Sequence, residues 1–485
     1  MTLNRWLSTT TAIILLLNSP VNGETINESV AAMLRSEPEL MSVDSDSRAC
    51  FEDYRITKAK RRPVISLTSD SGLSQRDRST DGLVASSSGN LYSRDLGISI
   101  RQLVYDGGTS KMLSASAKQS YRAQRLLQLA IIEDRVVDLV ETYLEILRLN
   151  EQICAAKKNI AYHKEFHEKL LKYEQLGGSR SDTMLIEGRL SLAKSSLRSI
   201  QSEKETAESR YRRLTGEIPR HLTKPEIPRI EEIANTCEIT GNWHFQAACA
   251  TFDSASTALL AKKSAHLPNL YINTGATEGY DTVGIKGRDR EIHALLGLQW
   301  DLYRGGQRRA LSEREKWQQD KAFDLVRTAV ENGRQKARDI YTDLQRSRDC
   351  HSSLDTYVNR LESVATDYGR QFQIGSRDLM NLLGIENELF QAKLKLINEL
   401  YSEHACVYRL LGVQGKLACF LTGNKILDLI ETGCAEQDDW SCRLKPGSSP
   451  GRSEIVAIPV ENCLTSKPIR ATPVKGRRLF SFIRK

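Results

Sequence analysis

The sequence predicts an α+β membrane protein with four β-strands and two long antiparallel α-helical hairpins per chain, written as an internal two-fold repeat. Three observations carry that prediction. Segments of alternating apolar and polar residues end on paired glycines, at "LVYDGG" and again at "DLYRGG". After each pair a helical pattern runs on, from Ser110 to about Leu176 without proline or glycine in the first case. The halves of the chain also correspond at an offset of about 200 residues, far longer than a solenoid unit.

The bulk properties fit long helices better than a compact enzyme. Of 485 residues, 27% are charged and only 6% aromatic, the bias of helical, Ala/Leu/Glu/Lys/Arg-rich chains. The net charge of +8 is mild and spread out, which speaks against a nucleic-acid partner. At the N-terminus, Arg5, the apolar run Ala12–Leu17 and the small residues up to Gly23 read as a signal peptide over 1–23. That run is too short to span a bilayer, and no cysteine follows it for lipid attachment.

The first repeat is read as 24–216 and the second as 240–420. Between them lies a proline-containing linker, 217–239, with Pro219, Pro225 and Pro228. Each repeat starts with a helical segment, Ile26 to Arg62 and Thr240 to His266. Two strands follow in each. In the first pair, Ile65 and Leu67 share a face, and Leu96, Ile98 and Ile100 alternate with Asp95, Ser99 and Arg101. In the second, Leu270, Ile272 and Thr274 alternate with polar neighbours, as do Leu296, Leu298, Trp300 and Leu302. One apolar and one polar face is the pattern of a membrane β-barrel strand. The connections "SQRDRSTDGLVASSSGN" and "TEGYDTVGIKGRDRE" read as exposed loops. At the strand-to-helix corners, Tyr105 and Tyr303 suit an aromatic girdle, while Gly107, Gly108, Gly305 and Gly306 allow a sharp bend.

The helical patterns turn back at Gly177-Gly178-Ser179 and at Gly375-Ser376, returning to about Leu214 and Leu411. On the first, Leu126, Leu127, Ile131, Ile132, Val136, Val137, Leu139, Val140, Tyr143 and Leu144 form an apolar stripe that must pack along other helices. Four strands are too few to close a membrane barrel, which needs at least eight in bacteria, and an open edge in lipid leaves backbone groups unpaired. The sheet is therefore shared between copies, two giving eight strands or three giving twelve.

With these features in hand, the sequence resembles the TolC-like outer-membrane exit ducts of Gram-negative bacteria over about Ile26 to Leu417. The resemblance rests on the duplicated corners and on the second-half stretch "IGSRDLMNLLGIENELFQAKLKLINELYSEHACVYRLLGVQG". It implies a homotrimer with a 12-stranded barrel in the outer membrane and a helical tunnel in the periplasm. It also implies two partners, a periplasmic adaptor and an inner-membrane ABC or proton-driven transporter, with no cofactor and no chemistry of its own. Without a lipid-attachment cysteine, type I secretion is favoured over multidrug efflux. By position, the closed entrance would involve Asp182, Phe372 and Arg377. The family's gate tyrosine falls at Phe372, which has no hydroxyl, and an aspartate ring of some members falls at Asn381 and Gly384. The entrance is thus expected to be less cation-selective and less easily blocked by multivalent cations, unless Asp378 takes over the ring.

Other readings fare worse. The glycine pairs lack the GxxxxGK[ST] or GxGxxG spacing of phosphate-binding turns. His163 and His167 share a helix face, but without the HExxH order they read as a solvated face near the tip. No nucleophile elbow supports a hydrolase. The ten cysteines contain no CxxC, leaving Cys237–Cys249 and Cys434–Cys442 as local disulfide candidates or, equally, buried thiols. The extension 421–485 reads as partly disordered. A periplasmic coiled-coil scaffold would explain the helices but not four amphipathic strands.

Overall fold

The computed structural model describes residues 23–74, 91–228, 240–282 and 287–423. Residues 1–22, where the sequence suggests a signal peptide, most of the first strand connection, Cys237 and the extension from 424, with Cys434 and Cys442, lie outside the described residues. The chain opens with α1 (Ile26–Ser36) and α2 (Pro38–Ala59). Thr25 and Glu28 form a capping box at the start of α1, satisfying two backbone donors reciprocally. The single helix expected over Ile26 to Arg62 is broken. Pro38 has no N–H to give and holds Glu37 extended at φ −72°, ψ 114°.

Two strands follow, β1 (Val64–Ser74) and β2 (Leu91–Tyr105), then the hairpin of α3 (Thr109–Gln175) and α4 (Arg180–Thr215). The order repeats as α5 (Trp243–Ser264), β3 (Asn269–Tyr280), β4 (Arg288–Gln299), α6 (Gln307–Gln373) and α7 (Leu379–Val413). A short α8 (Leu417–Thr422), absent from the sequence expectation, ends the described chain. The helices α3 and α6 each have 67 residues, which is about 100 Å at 1.5 Å per residue.

The strands form one sheet in the order β1-β2-β3-β4, antiparallel throughout. The register sets Ile65 and Leu67 opposite Ile100 and Ile98, and Ile272 and Ala276 opposite Leu296 and Ile292. Because side chains alternate, these residues share one face. The other face carries Ser66, Thr68, Asp70, Asp95, Ser99, Asn273, Thr277, Asp289, Glu291 and His293. The apolar face is bare in the single chain, with Leu67 72% and Leu298 62% exposed.

The second strand pair departs from expectation. Most of the residues read as a loop between β3 and β4 are paired: Thr277 to Tyr280 with Arg288 to Glu291. In turn β4 stops at Gln299, so Trp300 and Leu302 lie beyond the strand. Trp300 instead donates its Nε1–H to the His266 carbonyl, 3.0 Å away.

The main core lies at mid-height of the helices, where α1, α3, α4, α7 and α8 meet. Val136, Leu139, Val140, Tyr143, Leu149, Leu214 and Leu410 are fully buried there. The spacing of three and four along α3 is what turns these side chains to one stripe. Truncating one such leucine to alanine would cost about 2–5 kcal/mol. Glu24 is built into this region: Tyr211 Oη lies 2.5 Å from its carboxylate and Tyr143 Oη 2.9 Å from its carbonyl oxygen. Burial, with Glu24 beside it, holds the Tyr211 phenol above its ordinary range. The five thiols of Cys50, Cys154, Cys350, Cys406 and Cys419 are free, and Cys249 is half-buried.

Candidate functional site

The two corners where sheet becomes tunnel have nearly the same backbone. Gly107 and Gly108 sit at φ +66° and +83°, Gly305 and Gly306 at +54° and +81°. Two successive left-handed residues turn the chain straight into α3 and α6, a conformation that costs a residue with a Cβ. The supporting contacts differ. Asp106 accepts from the N–H groups of Gly108 (3.1 Å) and Ser110 (2.7 Å), capping α3. At the second corner Arg304 takes that place and pairs with Asp301 instead. A Cβ on Gly107 would stand 2.6 Å from Leu267 Cβ, whereas nothing lies within 4 Å of one on Gly305. Tyr105, which ends β2 opposite Leu270, and Tyr303, just beyond β4, are both exposed.

At the opposite end the two hairpins meet. Leu170 of α3, Ile186 of α4 and Leu379 and Leu383 of α7 bury one another, with Phe166 and Phe372 against them. The Phe166 and Phe372 rings are 6.0 Å apart between centroids. One turn up α3, the Tyr162 hydroxyl hydrogen-bonds the carboxylate of Glu386 on α7. Burial pushes the Glu386 carboxyl above its usual range, against the opposing pull of that bond and of Lys393.

The residues named from sequence fall around this clasp. Phe372 is half-buried in it. Asp182 is half-buried in the first turn of α4. Arg377 donates from Nε to Gln371 Oε1 at 3.0 Å and stacks 3.9 Å from the Tyr368 ring centroid. Arg377 and Asp182 are not paired among the described residues of the single chain. Asn381 and Gly384 are exposed on α7, as is Asp378 just before it. His163 is not on a solvated face: it is 3% exposed, and burial, with Arg189 adding to it, lowers its pKa. His167 is half-buried and meets Glu187 at 3.1 Å. Sequence reasoning missed Tyr162, Phe166 and Glu386. The available signal was the spacing of four in Tyr162, Phe166 and Leu170, which marks one buried helix face.

Residues 30–167 and 239–413 match the family described as outer membrane efflux protein. The chain belongs to that family. The first stretch runs from α1 through the strands β1 and β2 into α3, stopping before the return helix α4, and the second runs from just before α5 to the end of α7. The family is one of channels, not enzymes, and places the chain in the outer membrane. Its TolC-like channels are trimeric. The chain is similar to the outer membrane efflux protein BepC of Brucella suis, at 21% identity over 83% of this chain and 88% of that protein. It is also similar to the outer membrane protein TolC of Vibrio cholerae, at 22% identity over 83% of this chain and 93% of that one. The crystal structure of VceC from Vibrio cholerae superposes with a TM-score of 0.71 at 14% identity, covering 81% of this chain and 96% of VceC, which shows a shared fold.

Proposed function

We propose that three copies of this efflux-family chain close a 12-stranded barrel over a helical tunnel. Docked to a periplasmic adaptor and an inner-membrane transporter, that tunnel serves as the exit duct for exported polypeptides. The observation that carries the reading is the bare four-stranded sheet. It has an apolar face, a polar face and two unpaired edges, and it continues through tight corners into helices of about 100 Å. β1 leads away from the helices and β4 leads back, so β1 of one copy meets β4 of the next antiparallel, as a closed barrel requires.

We favour type I secretion over multidrug efflux, and the two readings part in the strain test below. In this reading the entrance is closed by Phe372 and Tyr162 within each chain and by Arg377 reaching Asp182 of a neighbouring copy. Asn381 and Gly384 leave it without a carboxylate ring. The test is a deletion strain. Loss from the medium of polypeptides carried by an ABC-type transporter, restored by the wild-type chain, is the expected result. An unchanged secretome with raised drug susceptibility would assign the duct to a proton-driven efflux pump instead.

A further inference from the structure

The apolar face of the sheet changes character along its length. From the Leu270–Leu298 rung to the Leu67–Ile98–Ala276–Ile292 rung it is predominantly apolar. The next two rungs on the same face are Ser69–Leu96–Glu278–Arg290 and Ser71–Arg94–Tyr280–Arg288. Eight residues separate the Leu298 rung from the Arg290 rung, about 26 Å along a strand and about 20 Å along a barrel axis at the usual tilt. The arginines therefore stand at the far rim of the apolar band, on the side away from the helices. There a charge meets lipid headgroups, not hydrocarbon.

Apart from Glu278, the described charges at this rim are sorted by sign. In "SRDL" and again in "GRDRE" the arginines Arg94, Arg288 and Arg290 point to the apolar face, while Asp95, Asp289 and Glu291 point to the polar one. A rim charged only for solubility has no reason to separate the two. Among the described residues, the outward face of this rim carries three guanidiniums and one carboxylate. Glu278 pairs with Arg288 and, at 3.4 Å, with Arg290. Arg94 has no ion pair among the described residues and stacks 5.0 Å from the Tyr92 ring. Arg94 and Arg288 flank Tyr280 in one rung, about 10 Å apart across two strand spacings, and Arg288 also lies over the Tyr280 ring.

We propose that Arg94, Arg288 and Arg290 form a binding site for the phosphorylated headgroup of an outer-leaflet lipid, whose acyl chains lie on the apolar rungs below. Guanidinium matches phosphate through paired N–H donors, and the excess of positive charge on a face otherwise built for lipid selects an anionic lipid over a soluble anion. Tyr92 and Tyr280 sit at the level where aromatic side chains favour the membrane interface.

Native mass spectrometry of the full-length assembled protein in detergent, titrated with diphosphorylated lipid A and with its phosphate-free form, tests this. The wild-type protein should retain the phosphorylated lipid and not the other. Arg94→Gln should weaken retention about fivefold and the triple variant Arg94→Gln/Arg288→Gln/Arg290→Gln about a hundredfold, at about 1 kcal/mol per surface arginine. Arg101→Gln, on the same strand but the inner face, should retain it like wild type. If the triple variant fails to assemble, the single Arg94→Gln variant is read alone. Equal retention by the arginine variants, or of the phosphate-free lipid by the wild type, would overturn the assignment.

Discussion

Single side chains hold the helical tip and the core at mid-height, and two of them give sharp tests. Tyr162 and Glu386 tie α3 to α7 beside the Phe166–Phe372 contact. Tyr162→Phe removes the donor and leaves a half-buried carboxylate unpaired, at a cost of about 1–3 kcal/mol. If that tie exists only in the closed tip, the closed-to-open ratio falls by about five- to a hundredfold. Cells carrying Tyr162→Phe should then become more susceptible to large hydrophilic antibiotics, and wild-type susceptibility would remove the pair from the gate. The second test is Glu133, which accepts from the N–H groups of Leu417 (2.6 Å) and Ala418 (3.2 Å) and so fastens α8 to α3. Burial pushes its carboxyl up to about 7. The folded state therefore holds the proton more tightly than the unfolded chain, whose carboxyl titrates near 4.3. The stability from that proton is complete below the unfolded value and is lost as pH rises through about 7. Thermal unfolding followed from pH 5 to pH 8 should show the loss in the wild type and a flatter profile in Glu133→Gln.

Elements were legible in proportion to how strongly local sequence dictates them. The long helices were readable because a run without proline or glycine, striped at three and four, admits little else. The break before α2 was missed although Pro38 was in view, since a proline at the first turn of a helix is also permitted. The strands were readable in their alternation but not in their ends. "GRDRE" is polar at every position and so resembles a loop. Only pairing with Thr277–Tyr280 makes it strand, and pairing is a tertiary fact. The two corners look equivalent in sequence and share a backbone, yet Leu267 and Ser264 crowd the first alone. Gly305→Ala should cost only the strain of a left-handed alanine, about 1 kcal/mol. Gly107→Ala should cost at least twice that, because Leu267 must also move. Heat resistance of the assembled protein on gels should rank wild type, Gly305→Ala, then Gly107→Ala, and equal loss at both glycines would mean that the corners are packed alike.

At the scale of the whole molecule, the single chain is unfinished. Its sheet presents bare apolar side chains outward and has β1 and β4 as open edges, a state that neither water nor lipid satisfies. The need for further copies could be read from the strand count, while the assignment to three came from family resemblance and not from strand chemistry. The tip was only partly legible for a related reason. Phe372 was recognised by position, but its partners come from a helix some 200 residues away, and Arg377 is matched to Asp182 only if a neighbouring copy brings them together. Inside the proposed barrel, Asp70, Asp95 and Asp289 would lie on one inward-facing rung per chain, placing carboxylates at its outer mouth.

Cross-linking across the shared seam tests the central claim most directly. With Ala294→Cys on β4, cysteines are placed one at a time at the outward β1 positions Ile65, Leu67, Ser69, Ser71 and Leu73. Within one chain the two strands are separated by β2 and β3, about 14 Å, beyond the reach of a disulfide. Three copies sharing one sheet predict covalent trimers on non-reducing gels at one or two neighbouring positions, with none from the inward positions Ser66 and Thr68. Monomers at every position would contradict it.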